Sequence, residues 1–170
     1  QAESWGMRVE RTAAKDKGKY KKVELATPYT TQQLDEIAQL YAEEKCRGAE
    51  PLYFEDVAIG QPLPQIVRGP YTATTAVAFE QGWGGLFIKA HGYWFDYLRR
   101  HPAAGIPNAY NIPEPPEAVH WDSALARAVG VPEAYDYGPE RVAWLATMLT
   151  NWIGDDGFLA ELYCEVRRFN

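Results

Sequence analysis

Cysteine is scarce in this sequence, and the patterns that mark common cofactor sites are missing from it. Its two cysteines, Cys46 and Cys164, stand alone and outside any C-x-x-C spacing, so the sequence predicts neither a disulfide framework nor a zinc site. No three His, Cys, Asp or Glu residues have metal-ligand spacing. No dinucleotide, Walker or nucleophile-elbow pattern occurs. We therefore expect no metal, no cofactor and a reducing, cytoplasmic setting.

Long apolar runs are also absent, so we expect no membrane span, and no signal-peptide pattern opens the chain. The 170 residues are 46% hydrophobic and 24% charged, which is typical of one soluble globular domain. We place that domain at residues 28–170 and an extended arm at residues 1–27.

Basic residues are fewer than acidic residues, and they are distributed unevenly along the chain. The chain has 17 Lys and Arg against 23 Asp and Glu, which argues against a nucleic-acid partner. Residues 8–22 are the exception, with seven basic and two acidic residues and a local net charge of +5. This basic segment is interpreted as a solvated part of the arm. The alternative is a clamp on an anionic ligand, such as the phosphates of coenzyme A, or on an acidic neighbouring subunit.

The most informative stretch is YDYGPERVAWLATMLTNWIGDD, at residues 135–156. Gly138 and Pro139 begin a helix there, because proline suits the first helical turn, and Gly154 ends it. Apolar residues cover nearly all of its sides, namely Val142, Trp144, Leu145, Ala146, Met148, Leu149, Trp152 and Ile153. Such a helix is typically buried, so we expect a curved sheet around residues 139–153.

Start and stop signals predict the remaining elements. Thr30 and Gln33 form a capping-box pattern at the start of a helix that ends near Gly48. Shorter helices are predicted at 76–81, 87–100 and 124–129, strands at 64–68 and 159–168, and a proline-rich binding loop or lid at 102–119. Two strands cannot enclose a helix, so we expect the sheet to be completed by a missing segment or by a partner polypeptide.

A candidate catalytic group follows the proline-rich loop. His120 and Asp122 lie there, and Gly138 stands at the beginning of the apolar helix. The first N–H groups of a helix lack internal partners and carry partial positive charge, so they can polarise a thioester carbonyl. A histidine can move an α-proton or activate water near neutral pH. The alternative interpretation is that Asp122 caps the next helix and His120 only packs.

The sequence resembles the N-terminal half of the MaoC-like acyl dehydratases in three stretches, PLYFEDVAIGQPLPQIVRGPYTAT, VHWDSALARAVGVPEAYDYGPERVAWL and LTNWIGDDGFL. The resemblance covers about residues 28–170. It implies an α+β hot-dog fold, in which an antiparallel sheet wraps the helix at 139–153. It also implies an acyl-CoA substrate, with coenzyme A as part of the substrate, and a second hot-dog domain or subunit as partner.

Not every catalytic position of that family is matched. In its enoyl-CoA hydratases an Asp and a His act on the water and the α-proton, and a glycine N–H polarises the carbonyl. His120 and Gly138 match these positions. Pro115 stands at the Asp position and Glu117 at the neighbouring Asn position. The acid–base role would then pass to Glu117 or to Glu114.

The leading hypothesis is a hydro-lyase that hydrates or dehydrates a CoA thioester. Its predicted catalytic residues are Glu117, His120 and Gly138, and its predicted substrate-binding residues are Trp121, Asp122, Tyr135 and Tyr137. One alternative is a non-catalytic subunit that binds the acyl tail or braces a catalytic partner. Another is an acyl-CoA thioesterase, which would need a carboxylate on the apolar helix, where Glu140 is the only acid. The long loop and the many aromatic residues favour a bulky acyl group.

Overall fold

A computed structural model describes residues 27–84 and 88–167, together with Glu3, Asp16 and Lys17. The chain divides into two compact units. The first contains Ala73–Tyr135, and the second contains Thr27–Thr72 and the chain from Asp136 onward. The predicted arm at 1–27, with its basic segment 8–22, lies almost entirely outside the described residues.

The described residues are mainly helical, with one small antiparallel sheet. In chain order the helices are α1 (Thr31–Glu43), α2 (Ala73–Trp83), α3 (His91–Arg100), α4 (Ser123–Ala128) and α5 (Gly138–Ile153). Short 3₁₀ helices cover Phe54–Asp56, Pro102–Ala104 and Pro116–His120. Within the described residues, no helix is both long and apolar enough to cross a membrane.

The sheet lies inside the segment predicted as a loop. Strands β1 (Ile106–Pro107) and β2 (Pro113–Glu114) pair antiparallel, with Ile106 opposite Glu114. The strands predicted at 64–68 and 159–168 are wrong for the described residues, since neither 64–68 nor 159–167 contains a strand. A strand requires ladder hydrogen bonds to a neighbour, and alternation of residue types alone does not supply one. The α+β part of the prediction agrees with this mixture of helices and a small sheet.

Helix α5 begins and ends where the sequence predicts. Pro139 lies in its first turn, and Gly154 follows its last residue with a φ of 77°. The prediction that α5 is buried is wrong for the described residues, because Glu140 is its only buried residue. Val142 and Leu145 are 37% and 41% exposed. An apolar helix face is buried only where another element covers it, and the predicted strands do not form such a cover.

The first unit has a small apolar core that holds the segment before α4 in place. Its buried apolar residues are Ala76, Trp94, Ala118, Val119, Leu125, Ala126 and Val131. The indole N–H of Trp94 in α3 donates to the carbonyl oxygen of Pro113 at 2.6 Å. This bond fixes β2 against α3, directly before the 3₁₀ helix Pro116–His120.

Candidate active site

The 3₁₀ helix Pro116–His120 presents two of the predicted catalytic side chains. Proline occupies its first turn, where the missing N–H costs nothing. Ala118 and Val119 are buried and anchor one side of it. Because a 3₁₀ helix has three residues per turn, side chains at i and i+3 leave it on the same side. Glu117 and His120 have this spacing.

His120 is held by a backbone carbonyl of the same unit. Its Nδ1 lies 2.7 Å from the carbonyl oxygen of Tyr135, and the two rings meet edge to face with centroids 4.5 Å apart. A carbonyl oxygen can only accept a hydrogen bond, so Nδ1 carries the proton. In the neutral ring the basic lone pair is therefore on Nε2. The structure thus brings together two predicted site residues, His120 and Tyr135.

Glu117 is a half-buried carboxyl group. Burial raises its pKa above the ordinary value, and the negative charge of Glu80 adds to this increase. A hydrogen bond from its own backbone N–H and the ammonium group of Lys89 act in the opposite direction. Oε2 of Glu117 is buried and has no hydrogen-bond partner within the part of the chain that the structure describes. These conditions favour the protonated carboxylic acid.

Sequence reasoning missed Glu80 and Lys89. Glu80 in α2 is only 2% exposed, and neither of its carboxylate oxygens has a hydrogen-bond partner among residues 27–84 and 88–167. The ammonium group of Lys89 lies 4.6 Å from the ring centroid of Tyr97. The available signal was the position of Glu80 four residues after Ala76, on the face of α2 that both residues bury. A glutamate is rarely buried to this extent unless it is paired.

Asp122 is the N-cap of α4. Its Oδ1 accepts hydrogen bonds from the backbone N–H groups of Ala124 at 2.8 Å and Leu125 at 3.0 Å. The capping interpretation of Asp122 is therefore confirmed, and its substrate-binding role remains a prediction. The neighbouring Trp121 is half-buried and follows the 3₁₀ helix as its C-cap. Glu114, the alternative acid, accepts a hydrogen bond from the side chain of Asn108 at 3.2 Å.

Tyr137 and Gly138, the remaining predicted site residues, lie in the second unit at the start of α5. Tyr137 is its buried N-cap residue, and Gly138 is its first residue. A Cβ atom added at Gly138 would meet no atom of residues 27–84 and 88–167 within 4 Å. Open space therefore adjoins the first turn of α5, as access to the Gly138 N–H would require.

Acidic side chains also lie near the first turn of α5, in the second unit. The Arg141 guanidinium forms a bidentate ion pair with buried Asp136, with both N–O distances at 2.5 Å. Burial raises the pKa of Glu140, and the charge of Asp136 raises it further. Burial likewise raises the pKa of Tyr71, together with the charges of Glu140 and Asp136. Burial and the neighbouring negative charges therefore favour the protonated hydroxyl of Tyr71 and the protonated carboxyl of Glu140.

No group of three or more His, Cys, Asp or Glu residues in the described part of the chain could hold a metal ion. Among known proteins, no family model, curated protein or solved structure matches the chain.

Proposed function

We propose that this chain hydrates or dehydrates an acyl-CoA thioester, with Glu117 and His120 as its acid–base pair. The observation that carries the proposal is the shared side of the 3₁₀ helix Pro116–His120, from which both side chains project. One is a carboxyl group whose surroundings favour its protonated form, and the other is an imidazole whose basic nitrogen is set by a backbone carbonyl. An acid and a base are thus offered on the same side of one 3₁₀ helix.

Hydration of a trans-2-enoyl thioester requires both groups. His120 Nε2 takes a proton from water while the water oxygen bonds to Cβ, and the Glu117 carboxyl delivers its proton to Cα. Dehydration is the same sequence reversed. A rise of about 2 Å per residue separates the two side chains by about 6 Å along the helix axis, which leaves room for a water molecule and the reacting double bond. Each positioned group typically contributes about 10²–10⁴ in rate.

The thioester carbonyl becomes more negative during the reaction, and a backbone N–H at the start of a helix is the kind of donor that stabilises such charge. The donor that the sequence resemblance implies is Gly138, at the start of α5 in the second unit. Its N–H is one of the groups at the start of α5 that lack a partner within the helix. Removal of one such donor typically costs about 10²–10³ in rate. Trp121, Asp122 and Tyr135 of the first unit would bind the part of the substrate near the thioester. Coenzyme A belongs to the substrate and is not a separate cofactor.

The proposal includes a hot-dog fold completed by a second hot-dog domain or subunit. It is supported by the exposure of the apolar side chains Val142 and Leu145 on α5. A sheet laid over this helix would cover them, and covering a side chain of that size fully is worth about 1.5–3 kcal/mol.

The test is hydration of trans-2-enoyl-CoA esters, with short, long and aromatic acyl groups, by the wild type and matched variants. We expect His120→Ala and Glu117→Gln each to lower kcat by about 10²–10⁴. His101→Ala is the control, because His101 is an exposed histidine at the end of α3, and its activity should equal that of the wild type. Unchanged turnover in His120→Ala would remove this residue from the mechanism.

The same assay separates the two alternative functions. Release of free coenzyme A without hydration, lost in Glu140→Gln, would indicate a thioesterase. Activity that requires a co-expressed partner and survives the loss of His120 would indicate a non-catalytic subunit. Both outcomes contradict the proposed roles of Glu117 and His120.

A further inference from the structure

We propose that Ser123 is a positioning residue for His120, because its hydroxyl oxygen anchors the backbone whose carbonyl holds the imidazole ring. The inference rests on the proposed function for its catalytic meaning, since that function uses His120 Nε2 as the base. The orientation of the ring is a property of the folded first unit. It can be measured without substrate.

Two hydrogen bonds connect Ser123 to His120 through a short piece of backbone. Oγ of Ser123, the first residue of α4, accepts from the backbone N–H of Ala134 at 3.2 Å. The carbonyl oxygen of the next residue, Tyr135, lies 2.7 Å from His120 Nδ1. Because the backbone has only two soft dihedral angles per residue, an anchored Ala134 N–H limits the positions that the Tyr135 carbonyl can take.

The segment that leads from α4 to Ala134 is fixed at both ends. At its beginning, buried Val131 donates its N–H to the Ala126 carbonyl at 2.9 Å. Pro132 follows and has no N–H to donate. At its end, the bond to Ser123 is part-buried, so water competes for it less than on an exposed surface. This bond therefore fixes the end of the segment that lies next to the Tyr135 carbonyl.

The hydroxyl proton of Ser123 has an acceptor of its own. A hydroxyl group can donate one hydrogen bond and accept another at the same time. A hydrogen bond from the Ser123 hydroxyl, together with the charge of Arg127, holds the pKa of the Glu133 carboxyl below its ordinary value. With its proton directed to Glu133, Oγ presents a lone pair to the Ala134 N–H. An alanine at position 123 can make neither bond.

The position of the Tyr135 carbonyl decides which nitrogen of the neutral His120 ring is basic. The neutral ring carries one proton, and the hydrogen bond made by one nitrogen determines which nitrogen stays unprotonated. With the carbonyl in place, the proton is on Nδ1 and Nε2 is the base. When the carbonyl is displaced, the proton can move to Nε2, and Nε2 then cannot take a proton from water. Ser123 therefore acts on the reaction through His120.

The direct test is ¹⁵N NMR of the histidine side chains in the substrate-free protein, at a pH high enough to keep the rings neutral. A ring nitrogen with a proton and one with a lone pair have well-separated shifts, and the His120 signals are assigned by their loss in His120→Gln. In the wild type we expect the proton on Nδ1. In Ser123→Ala the ratio of the Nδ1–H form to the Nε2–H form should fall about two- to tenfold, as expected for the loss of an ordinary hydrogen bond.

Two further variants show whether the hydroxyl itself is responsible. Ser123→Thr keeps the hydroxyl and should retain the wild-type shifts of His120. Arg127→Met is the matched control on the same helix, because it breaks only the exposed Arg127–Glu133 pair and leaves the bond to Ala134 in place. It should also retain the wild-type shifts.

A measurement on the wild type keeps the proposal testable if Ser123→Ala does not fold. The Ala134 amide should exchange its hydrogen more slowly than an amide of an unstructured chain. It should exchange faster in Ser123→Cys, because a thiol keeps the approximate size and is a weaker acceptor. A wild-type Ala134 amide that exchanges as fast as in an unstructured chain overturns the proposal. So does a wild-type His120 with its proton on Nε2, or an unchanged His120 spectrum in folded Ser123→Ala.

Kinetics then connect this anchor to catalysis. In Ser123→Ala, kcat for enoyl-CoA hydration should fall about two- to tenfold with KM unchanged, and Ser123→Thr should restore it. A protein without hydratase activity but with the expected NMR changes would refute the proposed function alone. Hydratase activity with unchanged His120 signals in Ser123→Ala would refute the role of Ser123 alone.

Discussion

The guanidinium of Arg68 donates to both carboxylate oxygens of Glu44, with Nη1 at 2.6 Å from Oε2 and Nη2 at 2.8 Å from Oε1. The side-chain amide of Asn151 donates to the same carboxylate at 3.0 Å. Helix α1 has no buried residue, so it contributes no apolar core to the second unit. Polar contacts such as these therefore hold the segment after α1, the segment before α2 and the end of α5 together.

Replacing Arg68 by methionine should destabilise the protein by about 1.5–3 kcal/mol, the usual range for hydrogen bonds to charged groups. The two side chains are only 24% and 18% exposed, so water cannot replace the lost bonds easily. The measurement is urea unfolding at neutral pH. In the control, Arg127→Met breaks the Arg127–Glu133 pair, whose side chains are 54% and 41% exposed. Its effect should be within error, because exposed pairs contribute little. Equal losses in both variants would contradict this interpretation.

The same ion pair should have a defined pH dependence. Arg68 holds the pKa of the Glu44 carboxyl below its ordinary value of 4.5, through hydrogen bonds and charge. Its contribution to the free energy of unfolding is therefore complete above pH 4.5 and is lost as the pH falls through the lower, folded-state pKa. The difference between the wild type and Arg68→Met should shrink over that acidic range. A difference that stays constant down to strong acid would show that Arg68 acts through packing alone.

Glu117 should behave in the opposite way. Because its folded-state pKa is raised above 4.5, the folded protein binds the proton more tightly than the unfolded chain does. Its favourable contribution is complete below pH 4.5 and is lost as the pH rises through the folded-state pKa. Glu117→Gln has no such proton to lose. Thermal unfolding across pH should therefore show Glu117→Gln gaining stability relative to the wild type as the pH increases to neutrality. A constant difference would contradict the raised pKa.

Features fixed by neighbouring residues could be predicted from the sequence. The Thr30 hydroxyl accepts from the Gln33 backbone N–H at 3.2 Å, and the Gln33 side chain accepts from the Thr30 N–H at 2.9 Å. This capping box needs only residues three apart, and the cap at Asp122 needs only residues two and three apart. The capping box could therefore be predicted because it depends only on neighbouring residues.

Features that depend on distant partners could not be predicted. The segment 159–167 has the alternation of a strand but forms none in the described residues, because a ladder needs a second strand. Asn151 and Glu44 are 107 residues apart, and no sequence pattern indicates that their side chains are in contact. The burial of Glu80 likewise follows from the packing of α2 and not from its local pattern. In the candidate site, Glu117 and His120 lie on the same side because Pro116–His120 forms a 3₁₀ helix. The sequence predicted a loop there and so did not indicate this relation.

Asp122 offers a test of whether its carboxylate acts mainly as a helix cap. Asp122→Ala should cost about 0.5–2 kcal/mol, because it leaves two N–H groups at the start of α4 without their acceptor. Asp122→Asn should retain most of the stability, since its amide oxygen also caps well. Urea unfolding of both variants, beside their hydratase activity, separates the roles. Activity lost in the stable Asn variant would show that the carboxylate also serves the substrate.

Gly154 provides the sharpest test of how α5 ends. Its φ of 77° and ψ of −172° lie in a region used almost only by glycine. An added Cβ would come within 2.8 Å of the Gly48 carbonyl oxygen and 2.9 Å of Arg47 Cδ. The same carbonyl oxygen accepts the Asp155 N–H at 2.8 Å, so moving it away would also break this bond. Gly154→Ala should therefore destabilise the protein by about 1–3 kcal/mol.

The control for this prediction is Gly82→Ala in α2. Among the described residues, no atom lies within 4 Å of a Cβ added at Gly82, and a glycine inside a helix is less stable than alanine by about 0.5–1 kcal/mol. This variant should therefore raise the free energy of unfolding while Gly154→Ala lowers it. Opposite signs in urea unfolding would show that backbone conformation and space, rather than glycine content, set the cost. A Gly154→Ala variant at least as stable as the wild type would contradict the described end of α5.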